Sequence, residues 1–255
     1  MLEYVHSKSQ VNINSYDTYK SLMHTHVKTL QNVANYAANR MQSFVSFDMV
    51  HVFKTLQLIE EYGHVSREML CDELELGEGA TRTLMKHLKM QNLIESTNAG
   101  TKMSKKGNAL FNEFLSSIPY ELSLSKCSIT LGKHNYAVLV KQMGSTVKSG
   151  IEQRDAAIKM GASGATTLLF MDNKFFIPLT GFDALQNEFR LSKQLIETLH
   201  PKDGDVIIIG TDDHSEKKAE FAAKSAALIT IMNHENLNSS DFIKSNDVKK
   251  KSTLD

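Results

Sequence analysis

Gly77-Glu-Gly-Ala-Thr-Arg-Thr-Leu-Met-Lys-His-Leu-Lys-Met90, followed by Leu93-Ile-Glu-Ser-Thr-Asn-Ala-Gly-Thr-Lys-Met103, decides the fold of the first half of this chain. At 100° per residue, Ala80, Leu84, Leu88 and Gln91 share one helical arc. Arg82, Lys86 and Lys89 lie on the opposite arc, with Glu78 and Met85 alongside. The second quoted stretch places Asn98-Ala-Gly100, a turn of hairpin residues, between two short strands. Upstream, apolar spacings of three and four predict a helix from Phe47 to Tyr62 that stops at Gly63. Ser66 then caps a second helix reaching Leu76. Downstream, Ser104-Lys-Lys-Gly107 restarts a helix through Leu110, Phe111, Phe114 and Ile118. Helix-turn-helix, two-strand wing, helix is the order of a winged helix, here spanning residues 46–118.

Charge is polarised along this module although the whole chain carries a formal net charge of +0. From Gly79 to Gly107 six cations face one acid, whereas Glu60 to Glu78 holds seven acids against Arg67. The positive half falls on the elements that would meet a duplex. The expected DNA contacts are therefore Thr81, Arg82, Lys86 and Lys89 on the third helix, Lys102 on the wing, and Lys105 and Lys106 just after it. An ordinary solvated face is the competing reading, as is a winged helix that contacts protein instead of DNA.

Leu76-Gly-Glu-Gly-Ala-Thr-Arg-Thr-Leu84, Leu93-Ile94 and Met103-Ser-Lys-Lys-Gly107 resemble the winged-helix half of archaeal transcriptional regulators. Ser149-Gly-Ile-Glu-Gln-Arg-Asp-Ala-Ala-Ile158, Gly161-Ala-Ser-Gly-Ala-Thr-Thr167 and Gly210-Thr-Asp-Asp213 resemble an uncharacterised archaeal domain found C-terminal to such winged helices. The resemblance implies a regulator architecture and names no ligand.

After Pro119, the first of three prolines, β-branched runs alternate with helical stretches. The runs are Ser128–Leu131, Tyr136–Val140, Ala165–Phe170, Phe175–Ile177 and Asp205–Gly210, and the helical stretches lie near 151–160, 183–199 and 215–231. The expected fold class is thus two-domain, α+β / α/β, with a mixed α/β domain over 119–232 and a mobile polar tail over 233–255. Two loops there invite a ligand. Gly144-Ser-Thr-Val-Lys-Ser-Gly150 enters a helix, and Lys148, Ser149 and Arg154 suit an anionic group, although the loop departs from the Walker pattern. Asp212 and Asp213 follow a strand end and would take the other end of a small polar or anionic effector in a shared pocket. Alternatively, one of these acids caps the following helix.

Residues 1–45 form an extension in which Met23, Val27, Leu30, Ala34, Ala37, Met41 and Phe44 are spaced as a heptad seam. Packing on its own domain and homodimerisation are equal readings of that seam. His24 and His26 fall on different faces of the helix and make a poor metal pair. Two cysteines, Cys71 and Cys127, exclude a disulfide scaffold and a cysteine zinc site. No apolar run nears the length of a membrane span and no signal peptide opens the chain, so the expected location is cytoplasmic. Nucleophile-elbow, zincin and dinucleotide motifs are all missing, so neither enzyme chemistry nor a cofactor is expected, and an enzyme with a regulatory winged helix is the least favoured alternative.

Overall fold

A computed structural model describes residues 29–34 and 47–251, with side chains through His234. Helix α1 (Met49–Tyr62) starts at Asp48, whose carboxylate accepts from the Met49 amide while His51 Nδ1 accepts from the Asp48 amide. It ends at Gly63, where φ is 72°. Ser66 Oγ accepts the Met69 amide to open α2 (Arg67–Leu74), and α3 (Glu78–Met90) follows Gly77. Strands β1 (Ile94–Thr97) and β2 (Gly100–Met103) form an antiparallel hairpin. Paired backbone bonds between Val65 and Thr101, both 2.9 Å, tie it to the α1–α2 turn.

Helix α4 (Lys105–Ser117) begins at Ser104, whose hydroxyl donates to Asn92 O and accepts the Gly107 amide. Gly107 is required by close approach, since a Cβ there would sit 2.1 Å from Leu93 O. That contact explains the Ser-Lys-Lys-Gly junction physically.

The second half holds β3 (Glu121–Leu124), β4 (His134–Val140), α5 (Ile151–Lys159), β5 (Gly164–Met171), β6 (Lys174–Phe176), α6 (Phe189–Leu199), β7 (Val206–Asp212) and α7 (Glu216–Lys251). Its sheet has the order β3-β4-β7-β5-β6, and every pairing is antiparallel. This corrects the α/β expectation: β4 and β5 run the same way across α5, but β7 inserts between them as a split β–α–β unit. The fold class is α+β. Ala137, Leu139, Leu168, Phe170, Ile207 and Ile209 face α6, while Val138, Val140, Val206 and Ile208 face the α5–α7 side.

Alanines bring α7 almost onto the sheet. A Cβ at Gly210 would lie 2.2 Å from Ala219 O, so β7 and α7 touch backbone to backbone there.

Two further expectations are corrected, and the heptad seam is described only in part. Ser128–Leu131 is a turn, not a strand, with the Ile129 carbonyl accepting from Thr166 Oγ1. The polar segment expected as a tail from Asn233 continues α7 to Lys251, because neither glycine nor proline interrupts 216–251. Of the heptad seam, residues 29–34 are helical, and Leu30 and Ala34 are buried within this chain together with Val33, which is off the seam. The remaining seam positions, His24 and His26 lie outside the described residues. No described helix is long and apolar enough to cross a membrane.

The two halves share one buried apolar cluster and a charged junction. Lys224 of α7, 1% exposed at its side chain, donates to Gln57 Oε1 of α1 (2.5 Å), meets Glu121 of β3 (3.1 Å), and pairs with Glu220 one turn earlier. Lys54 of α1 also pairs with Glu220, at 2.5 Å. Burial pushes the Lys224 ammonium below its usual pKa, against the pull of Glu121 and Glu220. Burial would raise the Glu220 carboxyl, but the charges of Lys224 and Lys54 outweigh it and hold the group low. The same burial and the neighbouring acids push the Tyr136 phenol up, with Lys224 Nζ lying 5.4 Å from its ring centre.

Candidate nucleic-acid interface

Helix α3 buries Leu84 and Leu88 beneath it and exposes Arg82, Lys86 and Lys89. These three cations line a shallow concavity of about 340 Å³. The fourth cation of that groove is Arg67, from the first turn of α2, which sequence reasoning had counted with the acidic arm. Met85 and Met90 supply apolar lining between them. No carboxylate among the described residues pairs with any of the four cations, so their charge is available to an external anion. The signal that could have found Arg67 is its place at the start of α2, the helix that the following turn packs against α3.

Thr81 is not part of this face. It is fully buried, its hydroxyl donating back to Gly77 O at 3.2 Å and lying 3.3 Å from Cys71 Sγ. Spacings of three and seven put it on the same stripe as Leu84 and Leu88, and its methyl group suits that stripe. Buried there, Thr81 cannot reach a duplex, contrary to the sequence expectation. The cations beyond α3 differ among themselves. Lys102 pairs across the hairpin with Glu95 at 3.4 Å, and Lys106 donates to Gln91 O, closing the C-terminal end of α3. Lys105 is exposed.

The loops of the second half do not converge. Gly144 bonds to Gly204 O, before the first residue of β7, so the loop carrying Lys148 starts at that end of the sheet. Asp212 is the last residue of β7, six residues beyond Val206 and about 20 Å along the strand. The shared pocket is therefore absent, and an antiparallel sheet has no common C-terminal edge at which such a pocket would form. Asp212 is buried and accepts from the His214 and Ser215 amides, the turn that leads into α7, and Ser215 Oγ accepts from the Lys218 amide. Asp213 is exposed. Ser149 Oγ accepts from the Ile151 amide at 3.4 Å, and Lys148 projects into solvent. Arg154 pairs with its neighbour Asp155 at 3.0 Å, which answers the electrostatic oddity of an arginine in the first turns of α5. Among the described residues, no cluster of three or more His, Cys, Asp or Glu side chains is placed to hold a metal ion.

Two family models match the chain. Residues 50–109 match the PH0730-like N-terminal domain, and residues 131–231 match a domain of unknown function, DUF4443. Among solved structures, a hypothetical protein, PH0730 from Pyrococcus horikoshii OT3, is similar at 28% identity with a TM-score of 0.58. The match covers 72% of this chain and 93% of that one. No curated protein matches. The similarity is thus to an archaeal protein built from the same kinds of element.

Proposed function

We propose that residues 46–118 act as a winged helix that binds duplex DNA, with α3 in the major groove, and that the protein is a transcriptional regulator. The observation that carries this reading is the unneutralised groove formed by Arg82, Lys86 and Lys89 on the exposed face of α3 with Arg67 of α2. Cations without internal partners are what phosphate binding requires, and an arginine among them can read guanine through paired hydrogen bonds. The hairpin is held against the α1–α2 turn by the Val65–Thr101 bridge, which would fix where Lys102 reaches a phosphate. Pairing of two copies on half-sites one helical turn apart belongs to the same proposal. So does a role for the second half in sensing an effector or in assembly.

Fluorescence anisotropy with mixed-sequence duplex tests it. Four phosphate contacts give a log–log salt slope of about −3.6. The Arg82→Ala, Lys86→Ala double variant should bind far more weakly and with a flatter slope. Binding as tight as that of the parent, or a slope near zero, refutes the reading and favours the protein-adaptor alternative.

A further inference from the structure

Where the two halves meet, the N-terminus of α1 and the facing surfaces of α5 and α7 border an open cavity of about 300 Å³. Three carboxylates line it, Asp48, Glu152 and Asp155, against one ammonium, Lys159. Val50, Leu228 and Ile229 supply apolar wall. Ser225 of α7 lines it too, is 9% exposed, and its hydroxyl has no hydrogen-bond partner among the described residues. The carbonyl one turn back would be in reach of such a hydroxyl, as Thr230 demonstrates by bonding Ala226 O at 2.9 Å.

The carboxylates retain capacity for a ligand. Glu152 accepts from the Asn233 amide through Oε2, and Asp155 accepts from Arg154 through Oδ1, leaving one oxygen of each acid without a protein donor. Asp48 is occupied in capping α1 and contributes charge only.

We propose that this cavity binds a small organic amine: an ammonium group against Glu152, Asp155 and the Ser225 hydroxyl, and a short hydrocarbon body against Val50, Leu228 and Ile229. The volume holds roughly ten non-hydrogen atoms. Even with Asp155 paired to Arg154, the acids outnumber the cations at this site, which disfavours an anionic effector, and the apolar walls disfavour a bare metal ion. Binding at this site does not depend on the DNA-binding reading, and its test contains no DNA.

The test is calorimetric titration of the full chain with three probes of one shape and different charge: 2-phenylethylamine, 2-phenylethanol and phenylacetate. The amine is expected to bind, the alcohol about tenfold or more weaker, and the carboxylate not at all. Glu152→Gln, an exposed and isosteric change, should weaken the amine by about tenfold, and Ser225→Leu, which replaces the hydroxyl with a bulkier apolar side chain at the ammonium position, should weaken it at least as much. Should Ser225→Leu fail to fold, Glu152→Gln decides the matter alone. No binding of the amine, equal binding of amine and carboxylate, or an unchanged affinity in Glu152→Gln overturns the proposal.

Discussion

Replacing Lys224 by methionine tests the charged junction most directly. The side chain is nearly fully buried, so the substitution keeps the apolar stem and its volume while deleting the ammonium. That ammonium serves Gln57, Glu121 and Glu220 together. Losing one partner of a buried ion pair costs about 3–5 kcal/mol, because the remaining charge stays buried without compensation. Here Glu220 keeps Lys54 at 2.5 Å, and Glu121 keeps the Gln57 amide at 2.6 Å and a side chain 27% exposed. The cost should therefore fall at the low end, about 3 kcal/mol. Urea unfolding at pH 7 should show a lower midpoint with an unchanged slope. Adding Glu121→Gln to Lys224→Met should recover part of the loss, since it removes the acid that lost its cation. A Lys224→Met protein as stable as the parent would refute the claim that this network holds α7 to α1.

Acid sensitivity follows from the same cluster. Because Glu220 is held below its usual value of 4.5, its stabilising effect is complete above pH 4.5 and is lost as pH falls through its folded-state value. Glu220→Gln should flatten the acid limb of a stability–pH curve, and a limb as steep as the parent's would refute this. Asp212→Ala should cost about 1–2 kcal/mol, measured by thermal unfolding, by removing the acceptor of two backbone amides ahead of α7. If Asp212→Ala melts with the parent, the capping role is wrong.

The legible parts of this fold were those whose partners are close in sequence. Ser66 and Ser104 act as caps within three residues, and the hairpin turns at Asn98-Ala99, so residue type alone locates them. Sheet topology was not legible. Helix alternating with strand looks the same whether β4 and β5 pair directly in parallel or admit β7 between them, and the pairing of β7 with β4 joins residues some seventy positions apart. Thr81 was misplaced because a helical wheel drawn from apolar residues treats threonine as neutral, although back-bonding to Gly77 lets it bury. Arg67 was missed because summing charge along the chain assigned it to its acidic neighbours, whereas folding of α2 against α3 sets it in the groove.

Nearby residues of α7 constrain the middle and the N-terminus of α1 differently. Lys224 and Glu220 hold the middle of α1 through Gln57 and Lys54, while Ser225 faces the cavity at its N-terminus beside Asp48. Helix α1 in turn packs against α2 and carries, through Val65, the bridge to the hairpin. A ligand in the cavity would therefore act on the element from which both α3 and the hairpin are positioned, without touching the cationic groove. Coupling of about 1–3 kcal/mol is the scale at which such linkage alters binding, and it must be reciprocal: bound duplex would change amine affinity by the same factor as amine changes duplex affinity. Lys224→Met, which removes the tie through Gln57 and leaves only Lys54–Glu220 on the middle of α1, spares both proposed sites and should reduce that factor while preserving amine binding. Titrating the amine into parent and Lys224→Met proteins, each with and without duplex, measures it, and an equal factor in both would place the coupling outside α1.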